Sequence, residues 1–333
     1  MHLFAPSFLI AAVLLVSGCA TAMTTRSTPA LPEAPFVAIL GIAQDAGYPQ
    51  AACRRDGCAL AWEDPTRARL VSCLGIVDPA SGQRWLIDAT PDFREQLHRL
   101  DAIAPPTDPA NLSQPALAGI LLTHAHIGHY TGLMDLSREV IGASEVPVYA
   151  MPRMRSFLTT NGPWSQLVSQ HNITLRDLAA DTPVTLNDRI TITPILVPHR
   201  DEFSETVGFR IQGPQCSALY IPDIDKWDRW DRSIEDEIRS VDIAWFDGTF
   251  YRNGEIPGRD MSQIPHPFIE ETMNRLASLD EKDRRKVHFI HFNHTNPVLW
   301  SEDAPAAVRA AGFNIASEGA LFDLDPQPLT AEK

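Results

Sequence analysis

Three histidines lie within the seven-residue segment THAHIGH at positions 123–129, and no other feature limits the fold and chemistry of this chain as strongly. The segment directly follows the apolar run AGILL at 118–122, which is typical of a buried strand, and the glycines at 128 and 132 predict a turn into a helix. A strand end that brings several neutral imidazoles together is suited to a borderline-soft divalent ion. We therefore predict a metal site at the carboxyl end of this strand.

Three later apolar runs also end in side chains that can ligate a metal. The first is followed by His199, the second by Asp223, and the third by the H-x-x-H pair of His291 and His294. A histidine after a strand is common on its own. These strand ends are therefore weak evidence for a metal site until a family pattern relates them to the histidines at 124–129.

The segment at 123–129 resembles the H-x-H-x-D-H signature of the metallo-β-lactamase fold superfamily, with Gly128 at the position of its aspartate. The resemblance implies an α/β protein, namely a four-layer αββα sandwich. It also implies a bound divalent ion, zinc or alternatively iron or manganese, in one or two copies. In the superfamily the missing aspartate ligates the second ion, so we expect that ion to be weakly held. The implied ligands are His124, His126 and His199 for the first ion and His129, Asp223 and His291 for the second, with Asp223 bridging the two.

Two residues are candidates for catalysis. Asp223 would orient the attacking water, and His266, in the segment QIPHP at 263–267, lies where ribonuclease-Z-like relatives place a catalytic histidine. The alternative for His266 is an ordinary residue at a helix start. Asp247 follows a late strand, where it either orients a metal-binding histidine or caps the next turn.

Two cysteines follow the first predicted strand. The stretch from Gly41 to Cys58 is similar to the start of the pyrroloquinoline-quinone biosynthesis protein B group, and a related cyclic phosphodiesterase also has early cysteines. These resemblances imply a structural metal site formed by Cys53, Cys58 and His294. Three ligands fall short of the usual four, and a disulfide between the two cysteines is an equal alternative in an oxidising compartment.

The N-terminus resembles a bacterial lipoprotein signal. Residues 4–18 are apolar but too few to span a bilayer comfortably, and they end in VSGC at 16–19. We expect a signal peptide at 1–18, a tether at 19–35 lipidated on Cys19, a catalytic domain at 36–325 and a tail at 326–333. The protein would then be periplasmic and anchored to a bacterial membrane, by analogy the outer one. The alternative is an ordinary cleaved signal peptide.

Composition limits the function further. The net charge of −14 argues against a nucleic-acid partner, and 44% hydrophobic residues suffice for a large core. The leading hypothesis is an exported, lipid-anchored metal-dependent hydrolase of a small phosphodiester, ester or amide. The alternatives are an iron-dependent oxygenase of the quinone-biosynthesis protein B type and a non-catalytic metal-binding lipoprotein.

Apolar periodicity predicts helices between the strands. The predicted helices cover residues 92–100, 133–141, 154–160, 227–239 and 268–279.

Overall fold

Short apolar runs build two seven-stranded β-sheets in the computed structural model, which describes residues 32–108 and 113–326. The first sheet contains β1 (Phe36–Gly41), β2 (Cys73–Asp78), β3 (Gln83–Ile87), β4 (Gly119–Leu121), β5 (Val146–Ala150), β6 (Ile173–Asp177) and β14 (Leu321–Asp323). The second contains β7 (Val184–Asn187), β8 (Ile190–Leu196), β9 (Val207–Gln212), β10 (Ser217–Ile221), β11 (Ile243–Asp247), β12 (Val287–Ile290) and β13 (Asn314–Ile315). Their orders are β14-β1-β2-β3-β4-β5-β6 and β13-β12-β11-β10-β9-β8-β7.

Helices flank the two sheets. They are α1 (Asp56–Glu63), α2 (Phe93–Ile103), α3 (Ile127–Tyr130), α4 (Pro152–Thr160), α5 (Trp164–Ser169), α6 (Ile234–Arg239), α7 (Ile269–Arg275), α8 (Glu281–Arg284) and α9 (Asp303–Ala310). Helix α2 packs against β1, α4 and α5 against β6, and α9 against β13. Every residue of β1, β2, β10 and β11 is buried, as expected for strands covered on both faces. The predicted αββα sandwich is confirmed.

Strand direction brings the candidate ligands to one side of the molecule. Strand β2 is antiparallel to both β1 and β3, and β4 is parallel to β3, so β1, β3 and β4 all end at the same edge. In the second sheet β8 and β10 flank the antiparallel β9, and β11 and β12 continue parallel to β10. A bridge between Ala43 and Phe292 joins the two edges.

Three of the predicted helices differ from the observed structure. The helix predicted at 268–279 is α7 followed by a 3₁₀ turn at Leu276–Ser278. Residues 133–141 form only a 3₁₀ helix, Thr131–Leu136, because the apolar face ends there: Leu133 and Leu136 are fully buried, whereas Val140 is 63% exposed. The helix predicted at 227–239 is two elements, a 3₁₀ turn at Trp227–Arg229 and α6. The break occurs where Trp230 Nε1 donates to Leu196 O and the Ser233 side chain caps α6.

The predicted signal peptide, Cys19 and most of the tether lie outside the described residues. Within residues 32–108 and 113–326, no helix combines the length and apolar character needed to cross a membrane.

Candidate metal centre

The first group of candidate ligands joins the ends of β4, β8 and β10. His124 Nε2 lies 2.9 Å from His126 Nδ1 and 3.3 Å from Asp223 Oδ2, and His199 Nε2 lies 3.3 Å from Asp223 Oδ1. One ligand atom of each residue falls within 4.8 Å of the others. Two ligands about 2.1 Å from a tetrahedral ion are about 3.4 Å apart, so these spacings fit a single ion.

A second group adjoins the first and includes a residue that the sequence prediction missed. Asp45, in the loop after β1, places Oδ1 3.4 Å from His129 Nε2 and 4.0 Å from His291 Nε2. Asp223 Oδ2 lies 3.7 Å from His129 Nε2 and 3.9 Å from His291 Nε2. Asp223 therefore faces both groups, as expected for a bridging carboxylate.

Unpartnered polar atoms at this point show that the residues fit a cation. Within the described part of the chain, six buried atoms of these groups have no hydrogen-bond partner. They are Asp45 Oδ1, His129 Nε2, both ring nitrogens of His199, Asp223 Oδ1 and His291 Nε2. Each buried polar atom left unpaired costs about 1–3 kcal/mol, and a shared divalent ion would satisfy most of these atoms together.

Hydrogen bonds on the opposite ring nitrogens orient the histidines. His129 Nδ1 donates to Asp88 Oδ2 at 2.7 Å, and His291 Nδ1 lies 2.9 Å from Thr249 Oγ1, so each Nε2 faces the site. His126 is reversed, because its Nε2 donates to Glu202 at 3.1 Å and its Nδ1 faces the site. Such outer partners fix the tautomer that leaves a lone pair for a metal.

Two residues at the centre have left-handed backbone conformations that are uncommon outside glycine. Asp88 has φ of 71° and His291 has φ of 67°. Strained residues of this kind cluster at functional sites, where the surrounding structure holds them in place. Asp88 is fully buried and accepts hydrogen bonds from Thr123 N at 2.8 Å and from Thr123 Oγ1 at 3.0 Å.

Burial keeps three imidazoles in the form that binds metals. It lowers the pKa of His124 well below its ordinary value, and the adjacent imidazoles add to the effect. It also lowers the pKa of His199 and of His291 to about 4. These rings are therefore neutral at neutral pH, which is the state required of a metal ligand.

The second group has excess negative charge. Burial opposes the charged form of His129, but Asp88 and Asp45 raise its pKa well above the ordinary value. Burial alone would raise the pKa of Asp45, but the hydrogen bond and charge of His129 hold it below its usual range. Asp45 is thus a carboxylate, and a cation here would neutralise charge that His129 cannot balance alone.

His266 lies beside the first group, where its ring contacts two carboxylates. Its Nδ1 is 2.8 Å from Asp247 Oδ2 and 3.2 Å from Asp223 Oδ1. Burial opposes its charge, but these carboxylates raise its pKa to about 9. Asp247 caps the next turn, since its Oδ1 accepts from Thr249 N at 2.8 Å, and its other oxygen contacts His266 rather than a predicted metal-binding histidine.

Asp45 lies where a side chain of residue 128 would have to go. A Cβ placed on Gly128 would lie 2.1 Å from Asp45 Oδ1 and 2.8 Å from its Cγ. Gly128 therefore does not leave His129 and His291 without a second carboxylate. Asp45 also follows a buried strand, but nothing in the local sequence relates its turn to His129 or His291.

The two cysteines form a third cluster with His294, apart from the histidines described above. Cys58 Sγ, on α1, lies 3.3 Å from His294 Nδ1, and the ligand atoms of Cys53, Cys58 and His294 all lie within 4.8 Å of one another. Both cysteines are free thiols in the described structure, so the disulfide alternative is not the arrangement found. The H-x-x-H pair thus divides, with His291 in the second group and His294 at the cysteines.

Comparison with known proteins places these features in a family. Residues 83–292, more than half of the chain, match the family model described as "Beta-lactamase superfamily domain". Coenzyme PQQ synthesis protein B of Xanthomonas campestris pv. campestris is 30% identical over 313 residues, which cover 86% of this chain and 99% of that protein. The protein of the same name from Methylobacterium sp. strain 4-46 is 27% identical over 313 residues, with the same coverage.

Solved structures agree with this assignment. The Zn(2+)-bound PqqB of Methylobacterium extorquens superposes with a TM-score of 0.72 at 25% identity, covering 87% of this chain and all of that one. A diphosphatase of the PhnP family, at 21% identity, has a TM-score of 0.59 over 86% of this chain and 96% of its own, and shares the fold. The chain belongs to the β-lactamase superfamily, among proteins similar to coenzyme PQQ synthesis protein B.

Proposed function

We propose that this protein is a metal-dependent hydrolase of a small phosphodiester, ester or amide. The observation behind the proposal is the convergence of unpartnered histidine and carboxylate atoms in two adjoining groups that share Asp223. The centre meets solvent on the side of His126 and Asp45, whose side chains are 13% and 21% exposed. A substrate oxygen could reach the ligands from that side.

His124, His126, His199 and Asp223 would hold one divalent ion, zinc by analogy with the zinc-bound relative. Such an ion supplies a Lewis acid and lowers the pKa of bound water to about 7. Asp223, whose two oxygens both face the ligand groups, would also orient the attacking water. Asp247 fixes His266 through its Nδ1, which leaves the Nε2–H to protonate a leaving group.

A second candidate function is an iron-dependent oxygenase. The specific observation in its favour is the group formed by Asp45, His129 and His291, because two histidines and one carboxylate form the ligand set of many non-haem iron oxygenases. The names of the relatives, which concern cofactor synthesis, are compatible with it. The two candidates differ in the metal and the co-substrate they require.

Metal loading followed by activity assays tests the proposal. The protein would be loaded separately with Zn(II), Mn(II) and Fe(II) and assayed with bis-p-nitrophenyl phosphate, p-nitrophenyl esters and anilides, and for oxygen uptake. We expect hydrolysis of the phosphodiester with zinc or manganese. His266→Gln should reduce kcat by about 10²–10⁴-fold while the metal content stays unchanged. The control His171→Gln replaces an exposed histidine that pairs with Glu145 and belongs to neither ligand group, and it should match wild type. Oxygen uptake with iron and no hydrolysis would favour the oxygenase. If the protein shows neither hydrolysis nor oxygen uptake, both candidate functions are contradicted.

We also propose that the protein is exported and anchored through a lipid on Cys19. The support is the apolar segment at 4–18 followed by VSGC at 16–19. Mature protein should begin at an acylated Cys19 and sediment with membranes. A Cys19→Ser variant that is processed and localised like wild type would contradict the proposal and leave an ordinary signal peptide.

A further inference from the structure

We infer that Asp45 supplies the carboxylate ligand of the second ion, in the place that the superfamily signature assigns to residue 128. Gly128 is glycine because the Asp45 loop occupies the space of its side chain. The inference rests on the metal centre of the proposed function but is independent of the substrate. It replaces the expectation that Gly128 weakens the second ion.

The space around residue 128 is too small for a side chain. A Cβ on residue 128 would lie 2.1 Å from Asp45 Oδ1 and 2.4 Å from Asp45 Cα, and contacts under 3.0 Å force something to shift. Gly128 does not have a positive φ, so the residue is not needed for backbone freedom. The requirement is for space, and the atoms that take the space belong to a carboxylate and its backbone.

The Asp45 loop is held in place by backbone hydrogen bonds. Phe292 N donates to Ile42 O at 2.9 Å and Gln44 N donates to Phe292 O at 2.8 Å, so the loop pairs with the residue next to His291. A tight turn closes it, with Gly47 N donating to Gln44 O at 2.8 Å and Gly47 at φ of 70°. Asp45 therefore has a fixed position relative to His291.

The two carboxylate oxygens of Asp45 differ in their partners. Its Oδ2 accepts from Gln44 Nε2 at 3.3 Å, whereas Oδ1 is buried and, within the described residues, has no hydrogen-bond partner. Oδ1 faces His129 Nε2 and His291 Nε2, which are also buried and unpartnered. Three unpaired ligand atoms that face one another, with Asp223 Oδ2 nearby, are what an ion with mixed nitrogen and oxygen ligands requires.

The Gly128 substitution separates the two interpretations. If Gly128 were a missing ligand, Gly128→Asp would add a carboxylate and raise occupancy of the second ion. Because the site of that side chain is already filled, the structure predicts the opposite. Gly128→Ala and Gly128→Asp should both displace the Asp45 loop and lower the occupancy.

Metal stoichiometry and Mn(II) electron paramagnetic resonance test the inference without an activity assay. Wild type, Asp45→Asn, Asp45→Ala and Gly128→Ala would be loaded with zinc, dialysed against one limiting chelator and analysed for metal. Each variant should retain one zinc per chain fewer than wild type. Zinc bound at the cysteines is present in both proteins, so it cancels when the two zinc contents are subtracted. Glu63→Gln, an exposed carboxylate at the end of α1, is the matched control and should equal wild type.

Loading with Mn(II) reports whether two ions are adjacent. Wild type should give an exchange-coupled signal, and Asp45→Ala should give the signal of an isolated ion. Since the Asp45 side chain is 21% exposed, its loss should leave the fold intact, which circular dichroism would verify. A wild type with one ion, unchanged in Asp45→Ala, would overturn the role of Asp45 and leave the first site standing. A wild type that binds no ion at these histidines would overturn the metal centre as well.

Discussion

Replacing Asp88 by asparagine should weaken metal binding. Asp88 is not itself a metal ligand, because it contacts His129 through the ring nitrogen that faces away from the site. Asp88 accepts from His129 Nδ1 at 2.7 Å and from Thr123 N at 2.8 Å, one with each carboxylate oxygen. Thr123 Oγ1 donates to the same carboxylate and lies 3.0 Å from His124 Nδ1. The carboxylate therefore sets the tautomer of His129 directly and that of His124 through Thr123.

An asparagine cannot replace both oxygens. If its oxygen accepts from Thr123, its amide group faces His129 Nδ1, and the ring must move its proton to Nε2, where the metal lone pair is needed. The other orientation sets the amide against Thr123 N and costs about 1–3 kcal/mol of stability. Because asparagine tolerates the positive φ of Asp88, backbone strain adds little. Outer-sphere changes of this kind typically cost about 10–100-fold in metal affinity.

The assay is competition for zinc with a chromophoric chelator, with urea unfolding of the apoprotein measured in parallel. Asp78→Asn is the matched control, because Asp78 is also a buried carboxylate at a strand end but pairs with Arg189, at 2.8 Å. It should lose stability and keep the wild-type affinity. An Asp88→Asn variant with wild-type zinc affinity would refute the argument that Asp88 orients the ligands.

Three further predictions follow from the structure. Cys58→Ser should lose one zinc per chain, and at a free zinc concentration 100-fold above Kd its free energy of unfolding should fall by about 2.7 kcal/mol. Cys216→Ser should keep the zinc, and an equal zinc content in the two variants would exclude the cysteine site. Burial lowers the pKa of His288 to about 4, so the neutral ring stabilises the fold above about pH 6.5, and this stability is lost as the pH falls toward 4. Between pH 7 and pH 5, the free energy of unfolding of His288→Gln, measured with urea, should therefore fall by about 2 kcal/mol less than that of wild type. Equal losses in the two proteins would contradict this prediction. His126→Ala should lose the ion of the first group, measured as metal content after dialysis, and an unchanged content would exclude His126 as a ligand.

The sequence allowed the fold and most of the centre to be predicted because both depend on local patterns. Apolar runs identified the buried strands, and the resemblance to the superfamily signature grouped His124, His199, Asp223 and His291 at the ends of these strands. The role of each ring nitrogen could not be predicted. It depends on partners such as Glu202, which comes from a different loop.

Asp45 and Asp88 were missed as site residues for a physical reason. An aspartate two residues before a glycine is typical of a turn, and nothing in the local sequence shows that this turn pairs with Phe292 beside His291. Asp88 ends β3, and its importance arises only from Thr123 on the neighbouring strand. Long-range contacts, rather than local pattern, define both residues.

Crystallographic anomalous scattering at the zinc absorption edge tests the central claim most directly. A two-ion centre should give one peak among His124 Nε2, His126 Nδ1, His199 Nε2 and Asp223, and a second among Asp45, His129, His291 and the same Asp223. Zinc found only at Cys53, Cys58 and His294, with the histidine and carboxylate atoms bonded to water or to one another, would contradict it.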